Sequence, residues 1–263
     1  MLKIVGSYVK ALPTVARKLA VLHKHSVLLD EATPEQLNTS LRAWRVTKRE
    51  HGYLRSLSEG QCVDGQGRPI PWYTYPAIEQ LAKWDFTACD VLEYGSGNST
   101  LWWGARARTV TSIENSREWY EQVRARLADN ATLVLREVDM ERADPEQVER
   151  YVEVVDALGE FDVIVVDGVN LEGVRQACAM RALGHLRPGG LFIVDNADWL
   201  PETCRKMRAE GFMEMDFCGL GPLNGHAETT AFFIKGDFRI PPAAESHPGF
   251  TVGGLHLDRD GAA

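Results

Sequence analysis

The sequence has few cysteines, and their spacing suits neither a disulfide framework nor a zinc site. Five cysteines are spread over 263 residues without a C-x-x-C pair (Cys62, Cys89, Cys178, Cys204 and Cys218). The odd number and the wide spacing argue against a small disulfide-stapled fold and against a zinc knuckle. We therefore expect a protein of a reducing compartment.

Long apolar runs are also absent. No window reaches about 18 uninterrupted apolar residues, the length that a membrane-spanning helix needs. The first residues lack an apolar core region followed by a small-residue cleavage site, so we expect no secretory signal. The chain is 44% hydrophobic and 25% charged, which is typical of a globular protein and excludes a mainly disordered or fibrous chain. Together these features favour a cytoplasmic globular protein.

Charge is distributed unevenly along the chain. Residues 1–55 contain ten Lys and Arg against four Asp and Glu, whereas the whole chain has a formal net charge of −8. Such a basic segment predicts either a solvated helical cap or a peripheral contact with an anionic membrane or a protein. The acidic remainder disfavours nucleic acid as a partner, as does the lack of a basic stretch interleaved with aromatic residues.

The sequence pattern divides the chain into three parts. Residues 1–70 predict a helical, basic N-terminal extension, in which Thr33 caps one helix from about residue 34 to residue 56. Residues 71–239 predict the main domain, because a Gly- and Pro-rich turn segment precedes them. Residues 240–263 contain Pro, Gly and Ala and predict a loosely packed tail.

Apolar strand-like segments alternate with helical patterns through the main domain. Five of them are followed by two more, which a loop containing Gly, Pro and Asn connects (91–94, 109–114, 132–138, 161–167, 191–195, 212–217 and 229–235). Alternation of apolar strands with helices implies a parallel sheet covered on both faces. The short connection before the last segment indicates an antiparallel last strand. We therefore predict an α/β fold with a doubly wound, mostly parallel seven-stranded sheet.

A glycine turn after the first strand is the strongest local signal, Glu-Tyr-Gly-Ser-Gly at residues 93–97. Gly95 and Gly97 permit backbone angles and a close approach of a ligand that a Cβ would prevent. Ser99 and Thr100 open the next helix, whose free N–H groups favour an anionic group. Thr100 stands where a dinucleotide fingerprint would have its third glycine, which disfavours an NAD-dependent oxidoreductase.

Carboxylates stand in or just after the first four strands. Glu114 ends the second strand about 20 residues after Gly95, the spacing of an acid that holds ribose hydroxyls. Asp139 follows the third strand, where it would accept a hydrogen bond from an adenine amino group, and Asp167 ends the fourth. Because ligands bind at the carboxyl ends of parallel strands, these acids are predicted to converge on one crevice.

These motifs resemble those of the class I S-adenosylmethionine-dependent methyltransferases over about residues 72–236. The resemblance implies a Rossmann-like sheet with its last strand antiparallel and S-adenosylmethionine as cofactor. It further implies that the two glycines pass close to the methionine part, that Glu114 holds the ribose, and that Asp139 and Met140 flank the adenine. The residues expected to bind the cofactor are Glu93, Gly95, Ser96, Gly97, Ser99, Thr100, Glu114, Asn115, Asp139, Met140 and Asp167.

Further segments are similar to an uncharacterised bacterial subgroup of these methyltransferases associated with saccharide and cell-surface metabolism. They are residues 71–79, residues 93–103, and Asp167-Gly168 with Arg175 and Cys178. The resemblance identifies no substrate; by analogy we expect methylation of a hydroxyl oxygen on a small-molecule or saccharide acceptor. A non-catalytic methyltransferase-like binding module is the alternative to an enzyme.

Two devices for removing the acceptor proton are open. Asp167, Asp195 and Asn196 resemble the catechol O-methyltransferase type, in which such residues hold Mg²⁺ and the cation lowers the pKa of a bound hydroxyl. The lysine of that type is replaced here by Asn170, and Asp195 and Asn196 could simply satisfy backbone groups of a turn. The other device is a side-chain base without a metal, for which Asp167, Asp195 and His226 are the candidates.

Overall fold

The computed structural model describes residues 33–139, 144–169, 173–245 and 251–253. The chain separates into two compact units, Met1–Thr47 and Lys48–Ala263. Met140 and Asn170 lie outside the described residues, as do most of the predicted tail and the first 32 residues of the predicted extension. Within the described ranges, no helix is long and apolar enough to cross a membrane.

The described part of the first unit begins with helix α1 (Pro34–Arg45). Thr33 caps this helix as predicted: its hydroxyl accepts a hydrogen bond from the backbone N–H of Gln36, and the Gln36 side chain accepts one from the backbone N–H of Thr33. This reciprocal pair satisfies two donors that the start of a helix leaves free. A short π-helical segment, Val46–Glu50, follows α1.

The prediction of one helix from residue 34 to residue 56 is wrong. The chain breaks at Gly52, and a new helix, α2 (Tyr53–Glu59), begins after it. Gly52 has a φ of +84°, and a Cβ at this position would overlap the backbone of Asp64. Only glycine fits such a break without strain. Gly52 therefore separates the helical segment that ends at Glu50 from helix α2.

Seven strands form one sheet in the order β3-β2-β1-β4-β5-β7-β6. They are β1 (Asp90–Tyr94), β2 (Thr109–Glu114), β3 (Ala131–Leu135), β4 (Phe161–Val166), β5 (Leu186–Val194), β6 (Met213–Leu220) and β7 (Ala227–Ile234). The first five strands pair in parallel, whereas β7 is antiparallel to both β5 and β6. The predicted mostly parallel sheet with an antiparallel last strand is therefore confirmed.

Among the described residues, six further helices connect or precede the strands. They are α3 (Tyr75–Leu81), α4 (Asn98–Gly104), α5 (Arg117–Arg124), α6 (Pro145–Val152), α7 (Val174–Ala182) and α8 (Pro201–Ala209), with short 3-10 segments at Glu153–Ala157, Leu183–His185 and Ala197–Trp199. The sequence pattern missed α3 and α8, which are only 7 and 9 residues long. Segments of two turns carry too little periodicity to be recognised.

The central strands are buried on both faces, which explains their continuous apolar sequences. In β4, Ile164 and Val166 belong to the core that includes residues of α6 and α7, whereas Val163 and Val165 belong to the core that includes Trp103 of α4. Successive side chains of a strand point to opposite faces, so one apolar run supplies both cores. This rigid centre ends at its carboxyl edge in the polar residues described below.

The beginning of the predicted tail is paired rather than loosely packed. Trp84 forms an isolated antiparallel bridge with Pro242. The backbone N–H of Asp85 donates to the carbonyl of Pro241 at 2.8 Å, and the N–H of Ala243 donates to the carbonyl of Lys83 at 2.9 Å. These bonds tie residues 241–243 to the segment that precedes β1.

Candidate active site

A cavity of about 450 Å³ opens at the carboxyl ends of β1, β4 and β5. Its wall is formed by the loop after β1, by residues that follow β4 and β5, by residues 60–62, and by the loop between β6 and β7. Doubly wound sheets bind their ligands at this edge. The structure thus brings the glycine turn and the acids after the fourth and fifth strands to one place.

The two glycines of the turn have different structural reasons. Gly95 has a φ of +93°, and a Cβ there would lie 2.8 Å from the carbonyl oxygen of Asp167. Gly97 has an extended backbone with a φ of 167° and lines the cavity. Gly95 is therefore required by its contact with the end of β4, whereas Gly97 keeps the cavity wall open.

Glu114 holds the glycine turn with its carboxylate. Its Oε2 accepts hydrogen bonds from the backbone N–H and the hydroxyl of Ser96, at 2.9 and 2.6 Å. Its Oε1 accepts from the backbone N–H groups of Asn115 and Ser116, at 2.9 and 2.7 Å. The Glu114 side chain is only 3% exposed. A ligand hydroxyl would reach this carboxylate by replacing the Ser96 hydroxyl.

Glu93 and Thr100 lie beneath the turn, where both are fully buried. The Thr100 hydroxyl donates to Glu93 Oε2 at 2.6 Å and accepts from the backbone N–H of Gly97 at 3.1 Å. Ser112 of β2 donates to the same carboxylate oxygen at 2.6 Å. Burial raises the pKa of Glu93 to about 7, against the hydrogen bonds that lower it. This placement makes Glu93 and Thr100 supports of the turn rather than ligand contacts.

Of the other residues predicted to bind the cofactor, some line the cavity and some do not. Ser96 and Ser99 line the cavity. Asn115 follows Glu114, and its carbonyl accepts from the backbone N–H of Val138 at 3.3 Å. Asp139 is exposed after β3, and its backbone N–H donates to the Gln147 side chain at 2.8 Å. The structure therefore brings the turn into the cavity wall, whereas Glu114, Asn115 and Asp139 do not line the cavity.

Asp167 and Asp195 follow neighbouring parallel strands and interact with each other. Burial raises the pKa of Asp167 to about 6, while the charge of Arg175 and a hydrogen bond from Asp195 lower it. Burial, and then the charge of Asp167, raises the pKa of Asp195 well above its usual range. Asp195 also accepts from the Thr230 hydroxyl at 2.7 Å and is 2% exposed. Because the two carboxyl groups are buried side by side, each disfavours ionisation of the other, and the pair binds a proton more readily than two exposed carboxylates would.

Glu228 is a cavity residue that the sequence analysis missed. It lies at the start of β7, is buried, and accepts a hydrogen bond from the Asn196 side chain at 2.8 Å. Burial raises its pKa, although a hydrogen bond from Asn224 and the charge of His226 lower it. Because β7 is antiparallel, its first residues and not its last reach the carboxyl edge of the sheet. The predicted direction of the last strand was the signal that could have found Glu228.

The residues predicted as metal ligands do not fit a metal site. The Arg175 side chain lies among them: it donates to the Asn196 side-chain oxygen at 2.8 Å and to Asp167 Oδ1 at 3.3 Å. Asp195, the third predicted ligand, is turned to Thr230. In the parts of the chain that the structure describes, no group of three or more His, Cys, Asp or Glu side chains could hold a metal ion. The expected Mg²⁺ site is therefore not supported.

Indole side chains surround the cavity on its open side. Trp72, Trp119 and Trp199 line the cavity and are each partly exposed. The Trp72 Nε1 donates to the side-chain oxygen of Asn224 at 3.1 Å, and the Tyr53 hydroxyl donates to the carbonyl of Asn224 at 2.8 Å. These two bonds join the segment before the sheet to the β6–β7 loop, which is where His226 lines the cavity.

The sheet order and the antiparallel seventh strand agree with the fold that the motifs implied. In fold, the chain resembles the class I methyltransferases. No protein-family model and no curated protein sequence matches the chain.

Several solved structures are similar to part of the chain. Precorrin-6y C5,15-methyltransferase from Geobacter metallireducens is 14% identical, with a TM-score of 0.47 over 61% of this chain and 88% of that one. An rRNA methylase from Streptococcus thermophilus is 15% identical, with a TM-score of 0.44 over 61% and 96%. The N-methyltransferase NodS from Bradyrhizobium japonicum, in complex with S-adenosyl-L-homocysteine, is 15% identical, with a TM-score of 0.40 over 57% and 80%.

Proposed function

We propose that the chain is an S-adenosylmethionine-dependent methyltransferase that methylates a hydroxyl oxygen of a small molecule or a saccharide. The observation that carries this proposal is the joining of the glycine turn to the strand-end acid Glu114, at the edge of a cavity that also contains Asp167. A carboxylate suits ribose hydroxyls, and a second carboxylate suits an ammonium group. Asp167 lines the cavity directly, and Glu114 adjoins it through Ser96, so both ends of this cofactor would have a carboxylate partner.

The chain's own residues fit the cofactor in a definite order. Ser96 and Gly97 of the turn line the cavity, and Glu114 is bonded to Ser96. Glu114 would hold the ribose, and Asp167 would hold the ammonium group of the methionine part. When bound, the cofactor would supply an electrophilic methyl carbon, to which the acceptor oxygen would bond as the carbon–sulfur bond breaks and the sulfonium leaves as a neutral thioether. The protein's contribution is to place the acceptor oxygen and to remove its proton.

The topology supports this function over an NAD-dependent oxidoreductase. Dinucleotide-binding sheets run 3-2-1-4-5-6, whereas here the antiparallel β7 lies between β5 and β6. Thr100, which replaces the third glycine of the dinucleotide fingerprint, is engaged with Glu93 beneath the turn. Both observations separate this site from a pyrophosphate site.

The candidates for the base are distinguished by their surroundings. Burial raises the pKa of Asp195, whose carboxylate accepts a hydrogen bond from Thr230, and Asp167 lies beside the glycine turn. His226 is exposed and lines the cavity on the β6–β7 loop, two residues before Glu228. A neutral imidazole has a ring nitrogen that can accept the proton of an acceptor hydroxyl. We therefore assign proton removal to His226.

The acceptor end of the cavity suits a polyhydroxylated molecule. Trp72 and Trp199 offer partly exposed indole faces, on which the apolar face of a sugar ring can pack. Asn224 and Glu228 lie in the same wall and offer hydrogen-bonding groups for hydroxyls. This combination supports a saccharide or similar small molecule as acceptor.

Calorimetric titration with S-adenosylhomocysteine tests the cofactor assignment. We expect the wild-type protein to bind with a micromolar dissociation constant and Glu114→Gln to bind at least about tenfold more weakly, because the amide cannot accept the ribose hydroxyls as the carboxylate does. Glu118→Gln is the matched control, since Glu118 is an exposed glutamate on α5, and we expect it to bind like wild type.

Three other results would redirect the assignment. A heat of binding for NAD with none for S-adenosylhomocysteine would favour the oxidoreductase. Binding of S-adenosylhomocysteine without methyl transfer to any hydroxyl acceptor of a broad panel would favour a binding module. Equal affinities for wild type and Glu114→Gln would show that Glu114 does not hold the ribose.

A further inference from the structure

Arg175 is a buried cation that joins the ends of two strands. It lies on α7 and is 7% exposed. Its Nε donates to the carbonyl of Gly168 at 2.9 Å, and its Nη2 contacts the carbonyl and Oδ1 of Asp167, at 3.4 and 3.3 Å. Its Nη1 donates to the carbonyl of Asp195 at 3.1 Å and to the side-chain oxygen of Asn196 at 2.8 Å. The guanidinium therefore binds both the β4 end and the β5 end.

The acceptors of Arg175 coincide with the oxygens that a divalent cation would use. Side-chain oxygens of Asp167 and Asn196 were predicted as metal ligands from the sequence, and both contact the guanidinium. Arg126, the other arginine in the cavity wall, contacts Gln61 and Asn98 instead. A planar guanidinium with five donors can satisfy several oxygens at fixed angles, which a lysine cannot.

Asn196 shows that the guanidinium holds a constrained piece of backbone. Its φ is +51°, and it is the only non-glycine residue with a positive φ among the described residues. Such a conformation is uncommon, although asparagine tolerates it better than most residues. The Asn196 side chain is fixed at both ends, by Arg175 at its oxygen and by Glu228 at its nitrogen. Arg175 thus determines which way the residues after β5 face.

We propose that Arg175 is a positioning residue that serves as the fixed cation of this site in place of a divalent metal. It holds the Asp167 carboxylate toward the cofactor end and Asn196 toward the acceptor end, and this role rests on the proposed methyltransferase function. A guanidinium has no open coordination position for an acceptor oxygen, so it cannot activate a hydroxyl as a metal does. Proton removal then depends on a side-chain base.

The test combines metal binding with cofactor binding in the full chain. Mn²⁺ binding is measured by electron paramagnetic resonance, and the dissociation constant of S-adenosylhomocysteine is measured by calorimetry with and without EDTA. For the wild type we expect no bound Mn²⁺ and the same dissociation constant in both buffers. For Arg175→Ala we expect a dissociation constant at least about tenfold larger, because Asp167 loses its anchor. Millimolar guanidinium, which can occupy the vacated space, is expected to restore much of the affinity.

Two variants separate positioning from folding. Arg181→Ala removes another arginine of α7, one that pairs with Asp156 at the surface, and is expected to bind like wild type without response to guanidinium. Arg175→Lys keeps the charge and provides a second folded variant if Arg175→Ala fails to fold; it is expected to bind S-adenosylhomocysteine more weakly than wild type, because an ammonium cannot span both strand ends.

The proposal is overturned by one bound Mn²⁺ per wild-type chain that is lost in Asp167→Asn. It is also overturned if folded Arg175→Lys and Arg175→Ala bind S-adenosylhomocysteine like wild type. If wild type binds no S-adenosylhomocysteine at all, the methyltransferase proposal fails. The Mn²⁺ measurement on wild type then still decides whether the guanidinium or a metal occupies the site.

Discussion

Glu93 supports the glycine turn from a buried position that disfavours the ionised form of its carboxyl group. Its pKa is raised to about 7 by burial, whereas a glutamate in the unfolded chain titrates near 4.3. The folded protein therefore binds a proton more tightly than the unfolded chain. The stability that this group contributes is fully present below about pH 4.3 and is lost as the pH rises through about 7.

Glu93→Gln tests this linkage. We expect the free energy of unfolding of the variant, relative to wild type, to be more favourable at about pH 8 than at about pH 5. The difference between the two pH values should approach roughly 3 kcal/mol, because the neutral amide does not lose a proton. Urea denaturation at both pH values measures it. The exposed Glu160→Gln is the control, and a pH-independent difference for Glu93→Gln would contradict the account.

At the residue scale, the sequence predicts those site residues whose distance along the chain from a known motif is fixed by the fold. The positions of Glu114 and of the glycine turn follow from the distance between two adjacent parallel strands, and the structure joins them through Ser96. Arg175 follows no such fixed distance, since its partners lie both 7 to 8 residues before it, after β4, and 20 to 21 residues after it, beyond β5. The packing of α7 against the ends of β4 and β5 decides that this arginine is paired and buried.

The loop between β1 and α4 is an element whose two glycines can be tested separately. We expect Gly95→Ala to lower the free energy of unfolding by at least about 2 kcal/mol, because a positive φ and a clash with the Asp167 carbonyl act together. Gly97 has an extended backbone that alanine can also adopt, so Gly97→Ala should fold like wild type. It should bind S-adenosylhomocysteine about tenfold more weakly, because the added methyl group would occupy space in the cavity that Gly97 lines.

Denaturation and calorimetry on the two variants measure these effects. A Gly95→Ala variant as stable as wild type would contradict the strain at the turn. A Gly97→Ala variant with wild-type affinity would place the cofactor away from the loop.

Element boundaries show where a sequence pattern is sufficient. The bounds of β1, β2 and β4 were predicted to within one residue, because a mostly apolar segment marks each of these buried strands, whereas β5 begins five residues before its predicted start. The break at Gly52 was missed because it depends on the approach of the Asp64 backbone, a contact between segments that no local pattern records. The short helices α3 and α8 were missed because two turns give few repeats.

At the scale of the whole molecule, the cavity is built within one of the two compact units. The residues of its wall lie between Gly60 and Glu228, both included, whereas the first unit ends at Thr47. We therefore expect a chain that begins at Lys48 to bind S-adenosylhomocysteine with a dissociation constant within about twofold of the full chain. Calorimetry on both chains measures this, and a loss of binding in the shorter, folded chain would contradict it.

The basic N-terminal segment, residues 1–55, contributes none of its described residues to the cavity wall, so we expect its role to differ from cofactor binding. Its charge predicts a peripheral contact with an anionic membrane or a protein as the alternative to a solvated cap. The sequence could not predict more, because a charge pattern indicates the sign of a partner and not its identity. The sheet, in contrast, follows from the alternation of strands and helices, which constrains the whole topology.

A crystal structure with S-adenosylhomocysteine would show whether the cavity at the carboxyl edge of the sheet binds S-adenosylmethionine. We expect the ribose on Glu114, in place of the Ser96 hydroxyl, and the ammonium group on Asp167. We also expect Arg175 in its present contacts with Asp167 and Asn196. A ligand bound elsewhere, or a metal ion that displaces the Arg175 guanidinium, would contradict the account.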